Sequence, residues 1–202
     1  MKKEDLRIRK TKQSIKESFI ELVEIKGYKH VSVTDIVKKA NINRNTFYLH
    51  YDDKEDLIKN LIADASVQMQ AALGSALFLK SISFINLNET YIRWGFRNIL
   101  KLVEPDVEFY RIVLMDESLN GYLEQLFSSA KKSLAFLLNV KNPRSNLIYE
   151  YTMSGMFGLL KQWILYSPTS IAETAKANNV SYLFEASVGG GIPIIHSLYN
   201  SL

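Results

Sequence analysis

Apolar residues recur at intervals of three and four along most of this chain and nowhere alternate cleanly with polar ones, so the pattern predicts helices and no sheet. The first helix sets Ile15, Phe19, Leu22 and Val23 on one face and stops at Gly27, a residue suited to a left-handed helix cap. Ser32 before Asp35, and Asp52 before Glu55, each place a short oxygen-bearing side chain three residues ahead of a carboxylate, as a capping box requires. Between these two starts the pattern predicts two short helices, over 33–40 and 44–51, with Asn41 at the turn and Asn43 capping the second. Val33, Ile36, Val37, Ile42 and Phe47 are available to lock them together. The unit has the size of a helix-turn-helix.

A fourth helix follows, with Leu57, Ile58, Leu61, Ile62, Ala65 and Met69 at helical spacing and no strong breaker before Gly74. The pattern weakens from Ser75 to Asn88. It resumes with Ile92, Phe96, Ile99, Leu100 and Val103 and ends near Glu104 and Pro105. A short helix over 107–115 and a longer one over 119–138 come next, the latter striped by Leu119, Leu123, Leu126, Ala130, Leu134 and Leu137. Pro143 resets the chain, and the helix expected over 145–166 carries only Glu150 and Lys161 as charges, so apolar residues surround it. Such a helix is buried on more than one side. Ser154, Gly155 and Gly158 would admit a neighbouring helix closely, which makes them the candidate contact between two copies. A further helix is expected after Pro168, to about Glu185, and Gly189 to Gly191 with Pro193 end regular structure. The expected architecture is all-α with about nine helices: a helix-turn-helix domain over 1–65 and a helical regulatory and dimerisation domain over 66–202.

Charge sharpens this division. The formal net charge is +4, but residues 1–54 hold 13 Lys or Arg against 8 Asp or Glu, a balance of +5, and the remainder is −1. The positive excess lies with the helix-turn-helix, as nucleic-acid binding requires. Lys2, Lys3, Arg7, Arg9 and Lys10 precede or open the first helix, where a flexible arm would follow a phosphate backbone or enter a minor groove and a frayed terminus would do neither. The N-terminus lacks the apolar core of a secretory signal, and the longest uncharged run, 186–202, is interrupted by glycines and a proline, so neither secretion nor a membrane span is expected.

Catalytic chemistry finds little material. Cysteine is absent, which excludes disulfides, thiolate nucleophiles and thiolate-held zinc. His30, His50 and His196 are scattered, and no nucleophile elbow or phosphate-binding loop is present. No catalytic residue, metal or cofactor is implied. A small-molecule pocket is a better prospect, because Tyr91, Trp94, Phe109, Tyr110, Met115, Tyr122, Phe127, Met153, Phe157 and Trp163 fall on helices that must pack together. Each of them singly is better read as core filling, and only as a group do they make a cavity.

The second helix of the helix-turn-helix offers Arg44, Asn45, Thr46, Tyr48 and His50, side chains that pair with guanine and adenine edges, touch a thymine methyl, or reach backbone oxygens. Over residues 8–65 the chain resembles the DNA-binding domain of the TetR family of transcriptional regulators. The resemblance rests on Lys26-Gly27-Tyr28, Val33-Thr34-Asp35-Ile36, Ala40-Asn41-Ile42-Asn43, Thr46-Phe47-Tyr48-Leu49-His50-Tyr51 and Lys54-Glu55-Asp56-Leu57. Asn41 stands where that family usually has Gly, and Asn45 where Gly, Pro or Ala is common. More loosely, the C-terminal part resembles a subgroup related to dihydroxyacetone-kinase regulators. The resemblance implies a cytoplasmic homodimeric repressor, responsive to a small-molecule effector, that grips a palindromic double-stranded DNA operator. Arg44 and Thr46, with Asn45, would read bases, while Thr34, Tyr48, His50 and Lys54 would hold the backbone, and the cap Asn43 belongs to the same DNA-binding set. The alternative is a coregulator that keeps the fold but acts through a partner regulator.

Overall fold

The computed structural model describes residues 3–82, 98–137 and 143–166. All regular structure among them is helical, as the missing alternation implies. The helices are α1 (Lys3–Lys26), α2 (Val33–Lys39), α3 (Arg44–Tyr48), α4 (Lys54–Ile82), α5 (the helical residues 98–103), α6 (Val107–Met115), α7 (Asn120–Leu137) and α8 (Pro143–Tyr166). Single 3-10 turns occupy Tyr28–His30 and Glu104–Asp106. The helix expected after Pro168, the Gly189–Gly191 run and the first part of the helix ending at Val103 lie outside the described residues.

Two compact units emerge. One comprises Met1–Ala65 together with Glu108–Leu126, the other Ser66–Val107 together with Phe127–Leu202. In the first, Ile15, Phe19 and Val23 of α1 are buried with Ile36 and Val37 of α2, Phe47 of α3, and Leu57, Ile58, Leu61 and Ile62 of α4. α1 ends because Gly27 turns to φ 76°, where its N–H still reaches the Val23 carbonyl at 2.8 Å. Only glycine enters that region cheaply. α1 is already helical at Lys3, so Arg7, Arg9 and Lys10 open the first helix and belong neither to a flexible arm nor to a frayed terminus.

α2 begins with the expected capping box: the Ser32 hydroxyl accepts from the Asp35 N–H and the Asp35 carboxylate accepts from the Ser32 N–H. The start of α4 departs from expectation by one residue. Asp53, not Asp52, is the cap, its Oδ1 accepting from the Asp56 N–H at 2.7 Å, and Asp56 in turn accepts from the Asp52 N–H at 3.1 Å. Glu55 is thereby released for another partner, the Tyr28 hydroxyl. α3 is also shorter than expected. The His50 and Tyr51 N–H groups both converge on the Phe47 carbonyl, and the chain leaves the helix as the buried Tyr51 ring packs 5.7 Å from that of Phe47.

α4 runs through Gly74 to Ile82. One glycine costs about 1 kcal/mol relative to alanine, too little to stop a long hydrogen-bonded helix. In the second unit, Ile99, Leu100 and Val103 are buried, as are Met153, Met156, Phe157, Leu160, Trp163 and Ile164 on one side of α8. Phe157 stacks on Phe127 of α7 with ring centroids 4.5 Å apart. α8 opens on Pro143, a residue that fits the first turn of a helix because no N–H is needed there.

Candidate nucleic-acid interface

The turn between α2 and α3 is made by Asn41, the one described residue other than glycine with positive φ, at 51°. Its short polar side chain tolerates the left-handed region, so a glycine is dispensable here. The Ile42 N–H then returns to the Val37 carbonyl at 3.0 Å, and Asn43 caps α3 by accepting from the Asn45 N–H at 2.9 Å. Five residues cannot form a stable helix alone. α3 is held by its cap and by Phe47, whose side chain is fully buried.

Burial of Phe47 fixes which side of α3 faces outward. Arg44, Asn45 and Tyr48 are exposed, with Thr46 and His50 half-buried at the margin. Arg44 lies along Tyr48, its guanidinium 3.4 Å from the phenol oxygen and 5.8 Å from the ring centroid. This contact is weak and extends the cation over the surface without fixing it. Asn43 and Thr34 are exposed as well. Cation, amide, hydroxyl and phenol thus share one solvent-facing rim suited to base edges and phosphate oxygens.

Lys54 behaves differently. Its ammonium points into the protein, 2.9 Å from the carbonyl oxygens of Tyr28 and Val31, 3.4 Å from that of Lys29, and 4.4 Å from the Tyr28 ring centroid. Tyr28 is held on two further sides, through its hydroxyl to Glu55 at 3.1 Å and its N–H to Asp116 at 2.6 Å. Burial and the Glu55 carboxylate push the phenol well above its ordinary range. None of this was visible in the sequence, since the partners lie 26, 27 and 88 residues apart. Nearby, the Lys26 ammonium beside Asp35, at 2.7 Å, and the Ser32 donors hold the Asp35 carboxyl well below the usual carboxylate range.

The described residues among those expected to line a ligand pocket are divided between the two units. Phe109, Tyr110, Met115 and Tyr122 belong to the first unit, where Phe109 and Tyr110 are buried and Met115 is 66% exposed. Phe127, Met153, Phe157 and Trp163 are buried in the second unit, and Tyr91 and Trp94 lie outside the described residues. Ser154, Gly155 and Gly158 are all exposed on α8, in line with Leu147 and Tyr151, which are 72% and 67% exposed. Among the described residues, the expectation that α8 is apolar all round therefore resolves into one buried side and one exposed side of small and apolar residues, where the Lys131 ammonium donates to the Ser154 hydroxyl at 3.4 Å and pairs with Glu150.

Among the described residues no cluster of three or more His, Asp or Glu could hold a metal, and no helix is long and apolar enough to cross a membrane.

Residues 20–61 match the model of the bacterial regulatory proteins of the tetR family. YxbF of Bacillus subtilis (strain 168), described as an uncharacterized HTH-type transcriptional regulator, is 37% identical over 152 residues, which are 74% of this chain and 38% of that protein. The chain thus spans well under half the length of this relative. Among solved structures, a transcriptional regulator of Aquifex aeolicus VF5 superposes with a TM-score of 0.64 at 19% identity, covering 92% of this chain and 99% of its own. A dihydroxyacetone kinase operon activator, DhaS, superposes with a TM-score of 0.55 at 16% identity over 89% of this chain and 96% of its own. At these identities both superpositions speak for the fold alone.

Proposed function

We propose that this chain, which belongs to the tetR family of bacterial regulatory proteins through its helix-turn-helix segment, is a cytoplasmic DNA-binding transcriptional regulator that works as a homodimer and represses from a palindromic operator. The observation that carries the reading is the outward rim of α3, where Arg44, Asn45 and Tyr48 stand exposed on a helix anchored by Phe47. Arg44 and Thr46 read base edges in the major groove with help from Asn45. Thr34, Asn43, Tyr48 and His50 hold the phosphate backbone.

Dimerisation supplies the second reading head. The open side of α8, with Leu147, Tyr151, Ser154, Gly155 and Gly158, is the surface we assign to the second copy, because small residues let two helices approach and apolar ones reward the contact. Two heads would then enter successive major grooves about 34 to 36 Å apart. A small-molecule effector bound in the helical body would lower operator affinity. A coupling of about 1 to 3 kcal/mol suffices for a 5- to 150-fold change.

The rival is a coregulator acting through a partner regulator. A salt titration on a duplex recovered from a random pool separates the two. Direct binding requires log affinity to fall steeply and linearly with log salt. A protein that acts only through a partner would show no specific shift at any salt.

A further inference from the structure

Lys54 is the first residue of α4, and a cation there opposes the positive end of the helix dipole. The carbonyls of Tyr28, Lys29 and Val31 compensate. They belong to the first two residues of the 3-10 turn and to the residue beyond it, and the Tyr28 carbonyl also accepts from the Val31 N–H at 3.2 Å. An ammonium has three N–H donors, and three carbonyls converge on it with an aromatic face below. The next residue, Glu55, takes the hydroxyl of the same Tyr28. The start of α4 thus grips the segment that delivers the chain into Ser32, the cap of α2, and α2 carries α3.

We propose that Lys54 is a positioning residue: it sets the pose of α2 and α3 by clamping the Tyr28–Val31 segment to α4, and it does not contact a DNA phosphate. To meet a phosphate, its ammonium would have to leave the carbonyls. The assignment rests on the DNA-binding reading above.

Phosphate contact and positioning differ in three readouts. The full chain, with Lys54→Met and Lys54→Arg variants, is titrated with a duplex that the wild type recovers from a random pool, across a salt series and well below the unfolding temperature. Thermal unfolding is followed in parallel. Positioning predicts that both variants bind about tenfold or more weakly, the scale of losing charged hydrogen bonds. It further predicts an unchanged slope of log affinity against log salt and lower melting temperatures for both. Arginine fails in this role because its planar fork does not fan out to three convergent carbonyls, although it serves a phosphate at least as well as lysine.

Retained affinity in Lys54→Arg, with a slope shallower by about 0.9 in Lys54→Met, would make Lys54 a phosphate contact and overturn the proposal. Lower melting temperatures with unchanged affinity would reduce Lys54 to a stabilising residue and overturn it too. Failure of the wild type to recover any duplex would instead strike the DNA-binding reading, and this assignment with it.

Discussion

The Asp116 carboxylate accepts a hydrogen bond from the backbone N–H of Tyr28 at 2.6 Å, across 88 residues of sequence. It lies just beyond the C-terminal end of α6, and its other oxygen accepts from the Ser118 N–H at 2.9 Å. The bond caps the 3-10 turn that follows Gly27 and ties Glu108–Leu126 into the same compact unit as the helix-turn-helix. Replacing Asp116 by Ala should destabilise the protein by about 1.5 kcal/mol, the low end for a charged acceptor because the side chain is only partly buried. Denaturant unfolding measures the loss, and Asp116→Asn, which keeps an acceptor, should lose less.

Stability should fall at both ends of the pH scale. Burial pushes the Asp116 carboxyl up, but the Tyr28 and Ser118 donors outweigh it and leave the group below its ordinary range, as Lys26 does for Asp35. Carboxylates lowered in the folded state stabilise above their unfolded value of about 3.9, and the contribution disappears as pH drops through the folded value. Burial raises Tyr28, aided by Glu55, and raises Tyr51, aided by Asp64 and Asp56. Their contribution is complete below an unfolded value of about 10 and is lost above it. Melting temperature followed against pH should show acid weakening below about pH 4, reduced in an Asp35→Asn, Asp116→Asn double variant.

Arg44→Ala should weaken DNA binding by about 1 to 3 kcal/mol and relax preference at one position of each half-site. Folding should be untouched, since the guanidinium is exposed and its described contacts are the long ones to Tyr48. Binding to a set of singly altered duplexes, beside a melting curve, checks both halves of the expectation.

A Cβ at Gly155 would meet nothing within 4 Å, and its backbone is ordinary helix. Gly155→Leu should therefore leave the subunit as stable as before or raise it by up to about 1 kcal/mol through helix propensity. If α8 is the contact between copies, the same change should shift the sedimenting mass to that of a monomer. An unchanged dimer mass would place the contact elsewhere.

Local signals carried most of what the sequence disclosed. The Ser32–Asp35 box, the Gly27 stop, the Asn41 turn, the Asn43 cap and the apolar stripes of α1 and α4 depend on near neighbours, and each is found where its pattern put it except Leu22, which is only half-buried. The misplaced cap at α4 has a local origin as well: Asp52 and Asp53 are adjacent, and composition could not choose between them while Glu55 was needed by Tyr28. Long-range contacts left no trace in the pattern. The Lys54 clamp and the Asp116 bond join residues whose spacing carries no periodic information. Nothing in the spacing around Lys54 announces that three backbone carbonyls surround its ammonium.

Direct reading of DNA by the exposed rim of α3 is tested by selecting DNA sites from a random pool with the purified chain. A regulator that reads DNA through α3 should enrich a two-fold symmetric site, with half-sites about 10 base pairs apart or a multiple of it, and should lose preference at one position per half-site on Arg44→Ala. A pool that stays unenriched, or that Arg44→Ala selects identically to the wild type, would contradict direct reading by α3.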